Sequence, residues 1–417
     1  MGPALMVSIA YMDPGNYGTD IAAGAGYRYS LLWAVWLASA MAMLLQYLSG
    51  KLGIATSYDL PQLVRKSFDG RRGYVIPYWL AAEAAAAATD LAEYLGTVLA
   101  LNLLFGIPLL YAAMFGALDV ILLLVMVGKR FRLIEQYFAL LIAILVVGIL
   151  YNLIVVGIEP TQLVYHSFVP EVSNTNAFLI VVGIIGATVM PHALFVHSWL
   201  TKNKVNMLGR KEGGGEVKGG AFEGEDDHRE HSEAEIKGAM KLHRNETIVT
   251  LTIAGLVNAG ILLVAIPLFP NESLTVGGFV SGVSKIYGPL ISILFVVTLL
   301  ASGLSSSALG TIAGQVIMEG LIGRRWNIWA RRIVTRVINV FPTTIAILIG
   351  LDPLILLVYS QVILSIMIPL PMIPLVYYTS KRKYMGGFVN RNVTIALSVL
   401  TAALILFFNF FLLTTIL

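Results

Sequence analysis

The 417-residue chain is 57% hydrophobic and only 12% charged, with a mean hydropathy of +0.80. No soluble domain has that balance, so the composition marks a polytopic membrane protein. Cysteine is absent, which excludes disulfides and thiolate metal sites, and the net charge of +4 gives no reason to expect a nucleic-acid partner. Apolar runs long enough to cross ~30 Å of hydrocarbon lie near 4–25, 31–50, 74–104, 108–127, 133–157, 177–200, 247–268, 286–318, 333–350, 353–378 and 393–416. They predict an all-α membrane fold of 11 transmembrane helices in a single domain over 1–417, embedded in a lipid bilayer. Met1 lies almost against span 1; no signal peptide is expected there, and a longer natural tail is compatible with that start.

Span 1 is interrupted at Asp13-Pro14-Gly15-Asn16. Pro14 lacks a backbone donor and Gly15 gives no helical rigidity, so the helix should open there and serve as a hinge. Open backbone at bilayer depth is tolerated only inside protein or along a cavity. A carboxylate at that depth is costly unless something uses it, and span 1 holds no Lys or Arg to pair with Asp13. Span 6 is broken in the same way at Met190-Pro191-His192, with Pro191 as the second hinge. Two interrupted helices in corresponding halves are the best sequence pointer to a transporter's binding site.

Together the breaks offer the Asp13 carboxylate, the Asn16 amide, the Met190 thioether and loosened carbonyls at Ala10 and Ala187. The oxygens suit a divalent cation of any kind. The thioether narrows the choice. Sulfur binds Ca²⁺ and Mg²⁺ poorly, whereas Mn²⁺, Fe²⁺ and later transition metals accept it, so Met190 would select partly by penalising hard ions. Read only as packing, Met190 fills core space.

Span 3 carries Glu83, Asp90 and Glu93, which share roughly one helix face. A carboxylate stripe in a membrane must be protonated, paired or hydrated. Pairing with Arg331 or Arg332 at the start of span 9 and a proton path to the cytoplasm are both open, and they can coexist. His192, beside the span 6 break, titrates near neutral pH and suits either proton coupling or a structural role. His197 faces elsewhere on the same helix, and Gln46 and Asn409 suit interhelical hydrogen bonds.

Arg65, Lys66, Arg71, Arg72, Lys129, Arg130, Arg132, Arg324, Arg325, Arg331, Arg332, Arg336, Lys381, Arg382, Lys383 and Arg391 fall in loops or span ends on one side, against Arg28 and Lys285 on the other. The positive-inside rule then puts the N-terminus in the cytoplasm and the C-terminus outside. The segment 201–246 is rich in Gly and charge and reads as a cytoplasmic, disordered linker. Its His228, His231 and His243 read as solvated or weakly metal-binding, and 233–243 as a short amphipathic helix. Five spans start with each break, so repeat one (about 1–157) and repeat two (about 177–378) are upside down to each other, and helix 11 (about 393–416) is an addition.

Asp-Pro-Gly-Asn at 13–16 and Met-Pro-His at 190–192 resemble the paired signatures of the Nramp (natural resistance-associated macrophage protein) family of proton-coupled divalent metal transporters. The likeness extends to Gly186–His192, Ala88–Glu93 and Leu300–Ser307. It implies the fold of the sodium-coupled amino-acid symporters, with two inverted five-helix repeats. It implies uptake of Mn²⁺, Fe²⁺ and similar ions into the cytoplasm by alternating access, with protons as the coupled ion. The implied ligands are Asp13, Asn16, Met190 and a carbonyl of Ala10 or Ala187, with Gln361 of span 10 joining in some states. Asp90 and Glu93 become the proton path and the span 9 arginines its inner end. Ala193 departs from the Asn found in many members, the tail before span 1 is nearly absent and the linker is long. No cofactor and no enzymatic activity are expected, and the setting is a functional monomer in a prokaryotic plasma membrane.

Three rivals fit less well. An organic-solute symporter of the same fold would find an anionic substrate repelled by Asp13. A channel usually needs symmetric rings from several subunits. A metalloenzyme of the His-Glu-x-x-His type lacks its motif, and no Walker loop supports an ATP-driven pump.

Overall fold

A computed structural model describes residues 11–68, 71–116, 158–206, 232–269, 275–324 and 327–416, with isolated positions between 143 and 154. No strand occurs among the described residues. The chain opens with α1 (Pro14–Tyr27), α2 (Leu32–Thr56), α3 (Leu60–Ser67), α4 (Arg72–Phe105) and α5 (Leu109–Gly116). It continues with α6 (Pro160–Phe168), α7 (Thr175–Val189), α8 (Pro191–Thr201), α9 (Glu233–Ala265) and α10 (Val276–Tyr287). It closes with α11 (Pro289–Ile322), α12 (Ile328–Leu348), α13 (Pro353–Met367), α14 (Pro369–Thr379), α15 (Arg382–Met385) and α16 (Asn392–Ile416).

Seven helical stretches among the described residues are long and apolar enough to cross a membrane. They match expected spans 2, 3, 6, 7, 8, 10 and 11. Span 9 appears as α12, whose apolar part runs only over Ile333–Leu348. Span 4 is described only to Gly116, and most of span 5 and the start of span 1 lie outside the described residues.

Burial orders these helices from centre to rim. The best apolar window of α7 and α8 is 94% buried, against 33% for α16, so the broken span 6 is the hub and helix 11 the periphery. α1 packs against α4, α7, α9 and α13, and α4 lies along α11. α12 shows why this core needs lipid around it. Its Val337, Ile338, Phe341, Ile345 and Leu348 are exposed, while Arg331, Arg336, Asn339 and Thr343 are buried. An apolar outside and a polar inside is stable only where the solvent is hydrocarbon.

Four local features differ from the sequence expectation. Asp59 and Gln62 form a capping box around Leu60-Pro61, so the span 2–3 loop carries the helix α3. α6 lies between spans 5 and 6. Span 10 is interrupted at Ile368, because Pro369 has no amide to donate back. The expected short helix at 233–243 is the first part of a 33-residue helix that runs on into span 7. Ser232 and Glu235 cap it by a second capping box. His243, expected in a solvated linker, is fully buried: its ring stacks on Tyr47 and meets the edge of His197. His228 and His231 lie outside the described residues.

Candidate metal site at the two helix breaks

The first break is a capped helix start. Asp13 is the N-cap of α1: its Oδ1 accepts the Asn16 amide at 2.8 Å, and Pro14 fills the first helical position, where no donor is needed. The carbonyls ahead of the break lose helical partners and are taken up across the bundle. Tyr11 O accepts from Asn16 Nδ2 at 3.1 Å and from Asn258 Nδ2 of α9 at 3.2 Å. Met12 O accepts from the Ser302 hydroxyl of α11. Among the described residues, the carbonyls of Tyr11 and Met12 ahead of Pro14 thus both find donors, as buried backbone requires.

The second break sits on one residue. Met190 joins α7 to α8 with φ +39 and ψ 101, a left-handed conformation uncommon for a residue with a side chain, and it is 1% exposed. Strain held in place by packing on both sides keeps the backbone open between Val189 and Pro191.

Asn16 ties the breaks together. Its Nδ2 lies 3.4 Å from the Ala187 carbonyl, and its Oδ1 accepts from the Thr188 hydroxyl at 3.2 Å. Gln361 of α13 closes over the same point. A Cβ on Gly15 would run into its side-chain amide, and one on Gly186 would run into its backbone carbonyl. Asp13, Asn16, Ala187 and Gln361 therefore gather around one point, with Met190 three residues from Ala187. Ala10 lies outside the described residues. Two oxygens at this point have no hydrogen-bond partner among the described residues: Asp13 Oδ2 and Gln361 Oε1. Both are fully buried, an arrangement that favours a cation.

His192 leads away from the breaks. Its Nδ1 is 3.0 Å from Thr89 Oγ1, whose single proton is directed to Ala85 O at 3.1 Å. Thr89 must then accept, so Nδ1 carries the imidazole proton and the unpartnered Nε2 keeps its lone pair. Thr89 adjoins Asp90 on α4. Asp90 Oδ2 accepts from Asn339 at 2.6 Å, and its Oδ1 is 3.7 Å from Arg336, whose guanidinium also covers the Tyr94 ring at 4.8 Å. Glu83, about 10 Å further along the helix by rise per residue, pairs with Arg331 and accepts from Trp79 Nε1 at 2.9 Å. Gly310 and Gly314 of α11 leave the room that the Glu93 carboxylate and the Arg331 guanidinium occupy.

The expected Arg331 partnership is thus to Glu83, while Asp90 meets Arg336, which the sequence reading used only among the charges that orient the chain. The Arg332 side chain lies outside the described residues. Thr89, Thr188 and Ser302 stood inside the family-like motifs without a role of their own, and Asn258 and Asn339 escaped notice. Asn258 and Asn339 carried a usable signal, since a lone amide in an apolar span seldom lacks a task. His197 takes the structural place expected of it: its Nδ1 lies 2.7 Å from Gln46 Oε1. Asn409 exchanges two hydrogen bonds with Ser365 across α16 and α13, at 2.7 and 2.9 Å.

Comparison with known proteins gives the family and the fold. A family model described as natural resistance-associated macrophage protein-like matches residues 4–415. The chain is 38% identical to the divalent metal cation transporter MntH of Deinococcus radiodurans over 99% of its own length and 89% of that protein. It is 35% identical to the MntH of Bacillus subtilis, over 99% and 91%. The manganese transporter of Eremococcus coleocola, solved with an aromatic bis-isothiourea substituted compound, superposes with a TM-score of 0.82 at 30% identity, covering 98% of this chain and 84% of that one. MhsT in complex with L-phenylalanine (TM-score 0.60, 15% identity) shares the fold alone.

Proposed function

The chain belongs to the natural resistance-associated macrophage protein (Nramp) family, whose members are membrane transporters rather than enzymes, and from that membership we propose that it imports divalent transition-metal ions by proton-coupled alternating access. Mn²⁺ and Fe²⁺ are the foremost cargo. The observation that carries the proposal is the buried pair of open oxygens, Asp13 Oδ2 and Gln361 Oε1, at the meeting point of two helix breaks bridged by Asn16.

A cation arriving there meets one carboxylate, amide oxygens, the Ala187 carbonyl and the Met190 thioether. One negative charge against two positive ones holds the ion without trapping it. Asn16 Oδ1, engaged by Thr188, turns to the ion as the bridge between the breaks opens. α1 and α8 pivot at Pro14, Gly15 and Pro191, closing one side of the site and opening the other. The two five-helix repeats run in inverted topology, with the N-terminus cytoplasmic. An inward proton passes from Asp13 through His192 and Thr89 to Asp90, then by Glu93 and Glu83 to the arginines of α12. The transporter works as a monomer, because the whole route lies within one chain.

The test is Mn²⁺ uptake into proteoliposomes with and without a pH gradient. Wild type takes up Mn²⁺ faster with acid outside, and Asp13→Ala abolishes uptake. Undiminished uptake by Asp13→Ala overturns the site. Uptake indifferent to the gradient overturns the coupling.

A further inference from the structure

The far end of α1 opens on a separate cavity of about 380 Å³, lined by Tyr27, Arg28, Ser30, Glu159, Gln162 and His166 among others. By helix rise it lies roughly 20 Å from Asp13. The two broken helices both reach it, since Tyr27 at the end of α1 donates to Asn174 at 3.1 Å, and Asn174 caps α7.

His166 is held there like a ligand. It is 9% exposed, its ring lies parallel to that of Tyr29 (centroids 6.4 Å apart) and the Tyr165 ring meets it edge-on at 5.0 Å. One turn back on α6, Gln162 Oε1 lies 3.1 Å from Nε2. An amide oxygen only accepts, so Nε2 carries the proton of the neutral ring and Nδ1 the lone pair. Nδ1 has no hydrogen-bond partner among the described residues. It faces Glu171 Oε2 at 3.6 Å, and the same oxygen lies 3.5 Å from Ser30 Oγ.

A lone pair and a carboxylate oxygen aimed at each other repel unless a cation sits between them. Ligands bound to one transition-metal ion at about 2.1 Å lie roughly 3.0–3.5 Å apart, near the spacing found here. Metal-bound histidines commonly donate their other N–H to an oxygen, as Nε2 does to Gln162. On the cavity wall Arg28 and Glu159 pair at 3.5 Å and cancel, so the Glu171 carboxylate facing His166 is the negative charge left to draw a cation in. We propose that His166 Nδ1 and Glu171 Oε2, with the Ser30 hydroxyl beside them, form a second site for a divalent transition-metal ion, with water completing the shell. Resting on the transport function proposed above, this site loads cargo at the mouth of the route to Asp13. A proton on Nδ1 would also quiet the repulsion, giving an ion pair with no metal.

Co²⁺ binding to the full chain separates the two. Measured calorimetrically in detergent on the Asp13→Ala background, one Co²⁺ should still bind per chain. Adding His166→Gln or Glu171→Gln should weaken that binding at least tenfold, with elution volume and melting temperature unchanged. Absence of residual binding, or residual binding that neither change affects, overturns the outer site and leaves only the ion pair. If one variant misfolds, the other decides. Uptake by the single Asp13→Ala variant tests the central site independently, so the two readings fail separately.

Discussion

At the scale of single residues, Asn16 does the joining, and the proposed site gives Met190 the choosing. Asn16 contacts both breaks, so it reports to each where the other stands. As the ligand proposed above, Met190 would add a soft donor, and the hard ions it would disfavour are the abundant ones. In Met190→Ala, Mn²⁺ uptake should persist while excess Ca²⁺ or Mg²⁺ begins to compete. A competition assay in proteoliposomes that finds selectivity unchanged would remove Met190 from the ligand set. Two glycines allow a contrast around Gln361. A methyl on Gly186 meets its backbone carbonyl, which cannot move without moving α13, so Gly186→Ala should cost roughly 1–3 kcal/mol of stability. A methyl on Gly15 meets only the side-chain amide, which can swing aside. Gly15→Ala should therefore keep the wild-type melting temperature and lose uptake. Equal melting temperatures for the two variants would contradict the closure of Gln361 over both breaks.

At the scale of elements, what the sequence revealed was set by how much of each signal is local. The breaks at Pro14 and Pro191 were legible because a proline in an apolar run acts on its own backbone. The inside-out α12 was legible as a span, but its partners were not: whether Arg331 or Arg336 meets Asp90 depends on the rotation of α12 against α4, and no local pattern encodes that. The helix α3 was missed for a different reason. Its cap, Asp59 with Gln62, sits in a short loop read only for charge. That cap makes a testable claim. Asp59 is 2% exposed and 3.5 Å from Lys202, and burial pushes its carboxyl up to about 6, with Lys202 only partly offsetting the effect. The folded chain then holds a proton that the unfolded chain releases near pH 4, so this residue's contribution to stability falls as pH rises from about 4 to about 6 and is flat above. By the linkage relation the change is about 3 kcal/mol. Asp59→Asn removes that slope, so the melting temperature of wild type minus variant should fall across this window. A difference constant with pH would mean that the cap is hydrated.

At the scale of the whole molecule, the span 6 break and the charged stripe of α4 meet where His192 touches Thr89, the neighbour of Asp90. The stripe was visible in the sequence as Glu83, Asp90 and Glu93 on one face; its approach to the span 6 break was not, because nothing local to Thr89, beside Asp90, says that its hydroxyl meets a histidine 103 residues away. The link matters for coupling. A carboxylate that serves only to neutralise Arg336 can be replaced only at the cost of leaving a buried charge unpaired, roughly 3–5 kcal/mol. A carboxylate that serves as a proton carrier fails in a different way: the fold and the metal site survive, and the proton stops. Asp90→Asn separates these roles when paired with Asn339→Ala, which removes the 2.6 Å hydrogen bond but leaves the carboxylate and its Arg336 contact in place. As a carrier, Asp90→Asn should bind Mn²⁺ within about twofold of wild type, while metal-stimulated acidification of the liposome lumen drops at least tenfold. Asn339→Ala should acidify nearly as wild type does. If both variants acidify normally, Asp90 is a structural counter-ion, and the proton must leave the site by another route. If both lose stability together and neither binds metal, the stripe holds the bundle shut rather than conducting, and the coupling belongs to His192 alone.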